Sequence, residues 1–403
     1  MKTIYFEGKI SKIAVIKILS AFSKKGYHSK LSPIRYKKFD DPKLPQENWV
    51  RVKNIETGIC GSDMTFYRCA QGPSTAFLPM PCSSVTYLGH ETVGEIIEVG
   101  KKVTKFKVGD RVCMNKYMAC CDLKGFSEEE QCEMCKAGNY ADCENYGEES
   151  KVKFPIGAGM GDTYIAPEGQ LLSVEGLSDD DAVLIEPFAV SLHAVLKRVP
   201  KPKEKVLVIG AGMIGLNCIQ FTKLLEPNCE IYVMENNPNK HEFAKKLGAD
   251  HILKGEPYKA VAEATGGKLY GKGKNRMILG GFDVIYDCVG KGTLFNDTLR
   301  WLKAQGTLVK VGYQMTKTKF DETPIWWQGL NIIGADSHGM EDFKGKKIST
   351  FEIVKDMMLK KQLITDGFIT HRFKLDDYKK AFKLLIENPK DTIKVVLECN
   401  QKS

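Results

Sequence analysis

Three short segments carry side chains that could do chemistry together. GICGSDM (Gly58 to Met64) sets the thiol of Cys60 beside the hydroxyl of Ser62, GHE sets His90 and Glu91 thirty residues later, and LIEPFAVSLHAV offers Glu186 ahead of Pro187. A thiolate, an imidazole and a carboxylate suit zinc, which favours tetrahedral N, S and O ligation and, in a catalytic site, keeps one position open. The oxygen ligand is either Glu91 or Glu186. Each residue alone is weak evidence, because a lone thiol is often a core filler and a glutamate before a helix can simply complement the helix dipole. A second set, CEMCKAGNYADC, spaces Cys132, Cys135 and Cys143 as C-x2-C-x7-C, the pattern of a structural metal site. Cys121 or Cys120 could supply a fourth ligand, while Glu129 stands where regular spacing would put one.

A different chemistry is written into VLVIGAGMIGLNCIQF. Gly210, Gly212 and Gly215 fall in GxGxxG spacing between an apolar run and a helical stretch, with Met213 and Ile214 inside the turn. Such glycines allow a tight turn, a close backbone approach to a pyrophosphate and close helix–strand packing. Glu235 closes the next apolar run, IYVMEN, 20 residues beyond Gly215. An acid there accepts from a ribose 2′-hydroxyl and repels a 2′-phosphate, so NAD is expected in preference to NADP.

The elements that must position these residues change character along the chain. WVRVKN, ETVGEIIEVG and GDRVCM read as antiparallel strands of a compact barrel. KVLVIG, EIYVMEN, FDVIYDCVG, GTLVKVG and LNIIGA, separated by helical stretches, read as βαβ units of a doubly wound parallel sheet. FEIVKDMMLKKQL and DYKKAFKLLIENP read as amphipathic helices before a last strand, TIKVVLEC; the N-terminal KISKIAVIKILSAFSKK reads as a docking helix too short and too charged to span a bilayer. Trp326 and Trp327 are expected in the core or at a subunit contact, and GGKLYGKGKNRMILGG as a solvated loop.

The whole chain, 403 residues with 43% apolar and 27% charged content, is long enough for two ordinary domains. Its formal charge of +9 is spread without a long basic block, which gives no sign of a nucleic-acid partner. Thirteen cysteines without a disulfide-rich scaffold point to reduced thiols and a cytoplasmic home.

Taken in order, GICGSD, GHE with EIIEVG and GDRV, CEMCKAGNYADC, IEPFAVSLHA and VIGAGMIG resemble the zinc-dependent medium-chain dehydrogenases, most of all the polyol, butanediol, threonine and sugar dehydrogenase branch. The resemblance implies a GroES-like catalytic domain over residues 1–192, a Rossmann NAD-binding domain over 193–335 and a return to the catalytic domain over 336–403. It implies catalytic zinc on Cys60, His90 and a glutamate, with Ser62 touching the substrate oxygen, Lys240 near the adenosine ribose and Lys394 approaching the pyrophosphate. The expected reaction is zinc-assisted hydride transfer between the hydroxyl-bearing carbon of an alcohol, polyol or sugar and NAD, in a homodimer or homotetramer. Thr65 stands where many members carry the histidine that ends a proton relay, the stretch holding Cys69 and Cys82 is longer than usual, and both thiols are expected to be buried rather than ligands. A non-catalytic zinc and nucleotide-binding redox sensor is the rival reading.

Overall fold

Alternation of apolar and polar residues, punctuated by glycine turns, builds the first part of the chain from short strands. They are β1 (Lys2–Glu7), β2 (Ile34–Lys38), β3 (Trp49–Gly58), β4 (Val85–Tyr87), β5 (Glu91–Val99), β6 (Arg111–Met114), β7 (Thr163–Pro167) and β8 (Leu171–Ser173). Next come β9 (Lys205–Ile209), β10 (Glu230–Met234), β11 (His251–Ile252), β12 (Lys268–Tyr270), β13 (Met277–Leu279), β14 (Phe282–Asp287), β15 (Leu302–Lys310) and β16 (Asn331–Gly334). A hairpin, β17 (Met340–Phe343) with β18 (Lys346–Ser349), then β19 (Ile369–Lys374) and β20 (Lys394–Glu398) complete the set. The structure is a computed structural model describing residues 1–70, 85–115, 127, 129–146, 148 and 156–399. Cys82, Cys120 and Cys121 lie outside the described residues.

Two units result, Met1–Glu186 with Phe351–Ser403, and Pro187–Thr350. In the first, β19-β20-β3-β5-β6-β8 form one sheet, with β7 also on β3; only β19 and β20 run parallel. Val50, Val52, Ile96, Val112 and Tyr164 fill the inside of this sheet. A second core packs the N-terminal lead-in, through Ile4, Phe6 and Ile16, against Met64, Tyr67 and Phe382. The helix Ile10–Phe22 is therefore docked through Ile16, and Tyr67 stacks on Phe382 with ring centroids 4.4 Å apart. Each such buried side chain contributes roughly 1.5–3 kcal/mol. Their combined effect holds the short helix Gly61–Tyr67, which follows Cys60, against the sheet. Cys69 is fully buried.

In the second unit all six strands of β11-β10-β9-β14-β15-β16 pair in parallel. This is the 3-2-1-4-5-6 order of a dinucleotide-binding sheet, whose order reverses between β9 and β14. The hairpin β17–β18 stays with this unit, where Glu341 pairs with His193 at 2.5 Å, so the chain returns to the first unit at Phe351. Two local expectations change: GGKLYGKGKNRMILGG folds as the hairpin β12–β13, and Glu186 lies inside the helix Asp179–Lys197 instead of at its start. Trp326 and Trp327 are 83% and 59% exposed, which excludes the core alternative and leaves the subunit contact. That helix continues through Pro187 because Asp179, Asp180 and Asp181 favour its first turn and because its apolar face is buried.

Candidate metal centre and dinucleotide loop

The metal centre is assembled at one end of β3, β5 and β20. β3 pairs with β5 so that Gly58 lies opposite Glu91, and with β20 so that Gly58 also lies opposite Val396. A Cβ on Gly58 would come 2.0 Å from Glu91 Oε2, so only glycine leaves room for that carboxylate. Just beyond the strand, Cys60 caps the helix Gly61–Tyr67. Its sulfur accepts from the Asp63 backbone, and Asp63 Oδ2 accepts from Cys60 N at 2.9 Å, a capping box built on C-x-x-D. The other oxygen of Asp63 accepts from Gly89 N at 3.2 Å. One buried carboxylate thus ties the turn bearing Cys60 to the turn bearing His90. Gly89 itself sits at φ +86°, and a Cβ there would lie 2.4 Å from Met160 N.

With both turns fixed, ligand atoms of Cys60, His90 and Glu91 all lie within 4.8 Å of one another. His90 Nε2 is 3.8 Å from Glu186 Oε1, which brings the second candidate glutamate to the same place. Lys394 Nζ donates to both oxygens of Glu91, at 2.6 and 2.5 Å, and points to Ile59 O at 3.4 Å. The structure therefore places Lys394 beside the metal set as a countercharge, with its side chain 4% exposed. Burial pushes the Cys60 thiol up and Glu91 adds to the effect, against the opposing pull of Lys394 and of a hydrogen bond from Ser62. Burial likewise raises Asp63, against His90 and its two backbone donors. For Lys394 burial acts downward, but Glu91, Cys60 and Glu186 outweigh it and the ammonium is held above its ordinary value. Ser62 is half-buried in the first turn of its helix, and Thr65 commits its hydroxyl to Gly61 O at 3.2 Å.

A soft thiolate, a borderline imidazole and a carboxylate oxygen converging in a largely buried pocket fit zinc, which accepts S, N and O ligands together. Cys132, Cys135 and Cys143 form a second group within 4.8 Å, with Cys132 Sγ 4.0 Å from Cys143 Sγ. Tetrahedral Zn–S bonds of about 2.3 Å would set sulfurs about 3.8 Å apart, so this loop also fits a metal. Burial opposes ionisation of Cys132, but N–H donors from Cys135, Glu144 and Asn145 bring it down to about 7. Glu129 is exposed and is not part of this group.

The glycine loop follows β9 and opens the helix Met213–Leu225. Gly210 adopts φ +87°, and a Cβ on Gly215 would fall 1.8 Å from Gly210 O, so helix and strand approach only because that position is glycine. A Cβ on Gly212 would meet nothing within 4 Å, which leaves the loop backbone open to a ligand. Met213 is buried beneath the loop, whereas Ile214 is partly exposed and its carbonyl accepts from Ser191 at 3.3 Å. Glu235 Oε2 accepts from Ala211 N and Oε1 from Asn237 N, both at 2.8 Å, so the acid is anchored at the loop. Lys240 ends the following turn, Pro238–Lys240. Asp63, Gly58 and the pairing role of Lys394 escaped the sequence reading; the C-x-x-D spacing was the one local signal for Asp63.

Comparison with known proteins agrees with this geometry. Residues 46–176 match the alcohol dehydrogenase GroES-like domain, and residues 214–351 match the zinc-binding dehydrogenase family. The L-galactonate-5-dehydrogenase of Escherichia coli (strain K12) is 28% identical over 359 residues, 88% of this chain and 93% of that protein. A probable D-xylulose reductase A of Aspergillus clavatus is 30% identical over 363 residues, 88% of this chain and 91% of its own length. Among solved structures, the 2R,3R-butanediol dehydrogenase of Bacillus subtilis superposes with a TM-score of 0.69 at 26% identity, covering 91% of this chain and 96% of that one. With a GroES-like unit, a dinucleotide sheet and a Cys–His–Glu centre in place, the chain belongs to the zinc-dependent medium-chain dehydrogenase/reductase family, as an NAD-linked oxidoreductase of alcohol-type CH–OH groups.

Proposed function

We propose that the chain interconverts a small polyol or sugar alcohol and its carbonyl form, with Cys60, His90 and Glu186 holding the catalytic ion and Glu91 balancing charge beside it. The convergence of Cys60, His90 and Glu91 within 4.8 Å, with Glu186 3.8 Å from His90, carries this reading. Both oxygens of Glu91 accept from Lys394, which suits it to the balancing role. When bound, zinc supplies the Lewis acidity that eases removal of a proton from a substrate hydroxyl. NAD supplies the hydride acceptor.

The chain's own groups do the rest. Ser62, hydrogen-bonded to the Cys60 sulfur, is placed to accept a hydrogen bond from the substrate's hydroxyl and to relay its proton, taking that proton as its own passes on towards the nicotinamide ribose or solvent. The proton's onward path does not run through Thr65, whose hydroxyl is tied to Gly61 O. Glu235 orients the glycine loop and accepts from the adenosine ribose, with Lys240 alongside, whereas Lys394 is committed to Glu91 and is not assigned to the pyrophosphate. The polyol and sugar activities named for the relatives, and the matched length, support this substrate class. A homo-oligomer in the cytoplasm, with no nucleic-acid partner, fits the reduced thiols and dispersed charge; no helix among the described residues is long and apolar enough to cross a membrane.

A screen of polyols, aldoses, diols and 3-hydroxy amino acids with NAD tests the substrate class. Cys60→Ser should abolish turnover and lower zinc content while NADH still binds, and Ser62→Ala should lower turnover by about 10² or more with zinc retained. Full activity in Cys60→Ser would overturn the assignment.

A further inference from the structure

The second unit contains an open cavity of about 970 Å³ to which the reaction proposed above assigns no role. None of Gly210, Gly212, Gly215, Glu235 or Lys240 lines it. Its walls are the loop of the β12–β13 hairpin, the start of the ten-residue helix Gly292–Trp301 and the segment from Gln314 to Lys319. Six cationic residues line it: Lys274, Arg276, Lys291, Arg300, Lys317 and Lys319.

Hydrogen bonds hold these walls together. Arg300 donates to Asp321 at 3.0 Å and to Lys274 O at 3.1 Å, joining the helix to two different segments. Asn296 donates to Lys319 O at 2.9 Å and accepts from Asp321 N at 2.8 Å, while Gln314 accepts from Gly292 N at 2.7 Å. Arg276 pairs with Glu256 at 2.7 Å and lies over the Tyr258 ring, 3.9 Å from its centroid. The two arginines are thus neutralised and structural. Lys274, Lys291, Lys317 and Lys319 have no carboxylate partner among the described residues, and the one acid lining the cavity, Asp297, accepts from the Tyr258 hydroxyl at 2.7 Å.

Four unpaired ammonium groups around one concavity repel one another, yet three separately bonded segments bring them there. The helix beginning at Gly292 adds the positive end of its dipole, and Thr293 and Thr316 add hydroxyl donors. The volume lies within the range of about 300–1,000 Å³ usual for small-ligand pockets. A single carboxylate would answer only one of the four charges. A nucleic-acid strand would want exposed aromatic platforms, and the single aromatic here, Tyr258, is buried under Arg276. We propose that this cavity binds a small organic anion carrying two or more phosphoryl groups, at a site separate from the dinucleotide loop.

Calorimetric titration of the zinc-loaded, NADH-saturated protein tests this, with tripolyphosphate, ATP and a hexose bisphosphate as probes. Tripolyphosphate should bind without displacing NADH. Tighter binding of ATP or of the hexose bisphosphate would support the site and name the organic part. The triple variant Lys274→Gln/Lys317→Gln/Lys319→Gln should weaken binding by about tenfold or more. Its NADH affinity and thermal midpoint should match those of the parent, and Lys246→Gln, on a helix outside the cavity, should bind like the parent. Absence of binding at millimolar tripolyphosphate, displacement of NADH, or equal affinity in the triple variant and the parent would overturn the proposal.

Discussion

Replacing Lys394 by Met should expose how much the metal centre depends on its countercharge. Lys394 Nζ lies 2.6 and 2.5 Å from the two Glu91 oxygens, and the side chains are 4% and 2% exposed. At an effective dielectric of 20 the attraction at such a separation is about 6–7 kcal/mol. Desolvation of both ions offsets much of it, but removing one partner leaves the other buried and unpaired, at a cost of about 3–5 kcal/mol. Native-state hydrogen exchange of the β5 and β20 amides reads this locally, which avoids treating two units as one transition. In metal-stripped protein, protection should fall by roughly two to three and a half orders of magnitude. Loading with zinc should shrink the loss, because a dication held beside Glu91, as proposed above, would supply positive charge there. The double variant Glu91→Gln/Lys394→Met should cost less than the sum of the two single changes. Protection within about 1 kcal/mol of the parent in the single variant would refute the reasoning, since exposed pairs are worth no more than that.

Two further outcomes follow from the same geometry. Glu235→Ala removes both the repulsion of a 2′-phosphate and the acceptor for Ala211 N and Asn237 N, so the NAD-over-NADP preference measured by nucleotide titration should drop by about tenfold or more; an unchanged preference removes Glu235 from this role. In metal-free protein, alkylation by iodoacetamide should select Cys132, whose ionisation is brought down to about 7, while burial pushes Cys69 up to about 11 and Cys113 up to about 12. Because the thiolate is the reacting form, the rate at Cys132 should rise as pH rises through about 7, and a midpoint near the ordinary thiol value would contradict the donor set around it.

Much of this was legible in the chain because local signals and global fold agree. Branched residues alternating between glycines mark β3 and β5, and the apolar run before Gly210 marks β9, since each must bury one or both faces. The glycine loop was legible for the same reason: Gly215 meets Gly210 O within one short segment. The Lys394–Glu91 pair was not, because 303 residues separate its members and only strand register brings them together. Register also decides that Gly58 faces Glu91, which no property of GICGSD announces. The helix around Glu186 misled because Pro187 signals a start, whereas burial on both sides of it carries the helix through.

Charge explains why these particular residues were brought together. Cys60, Asp63, Glu91 and Glu186 are four acidic groups at one poorly solvated place, and Lys394 brings a strong cationic charge to it. Burial and Glu91 keep the Cys60 proton in place, so the thiol as folded is a poor ligand until positive charge arrives. A dication entering the set would draw off that proton and offset the acids at once. Zinc uptake at this centre should therefore release a proton near neutral pH, and in Cys60→Ser, where no thiol is left to ionise, that release should be lost even if some metal still binds.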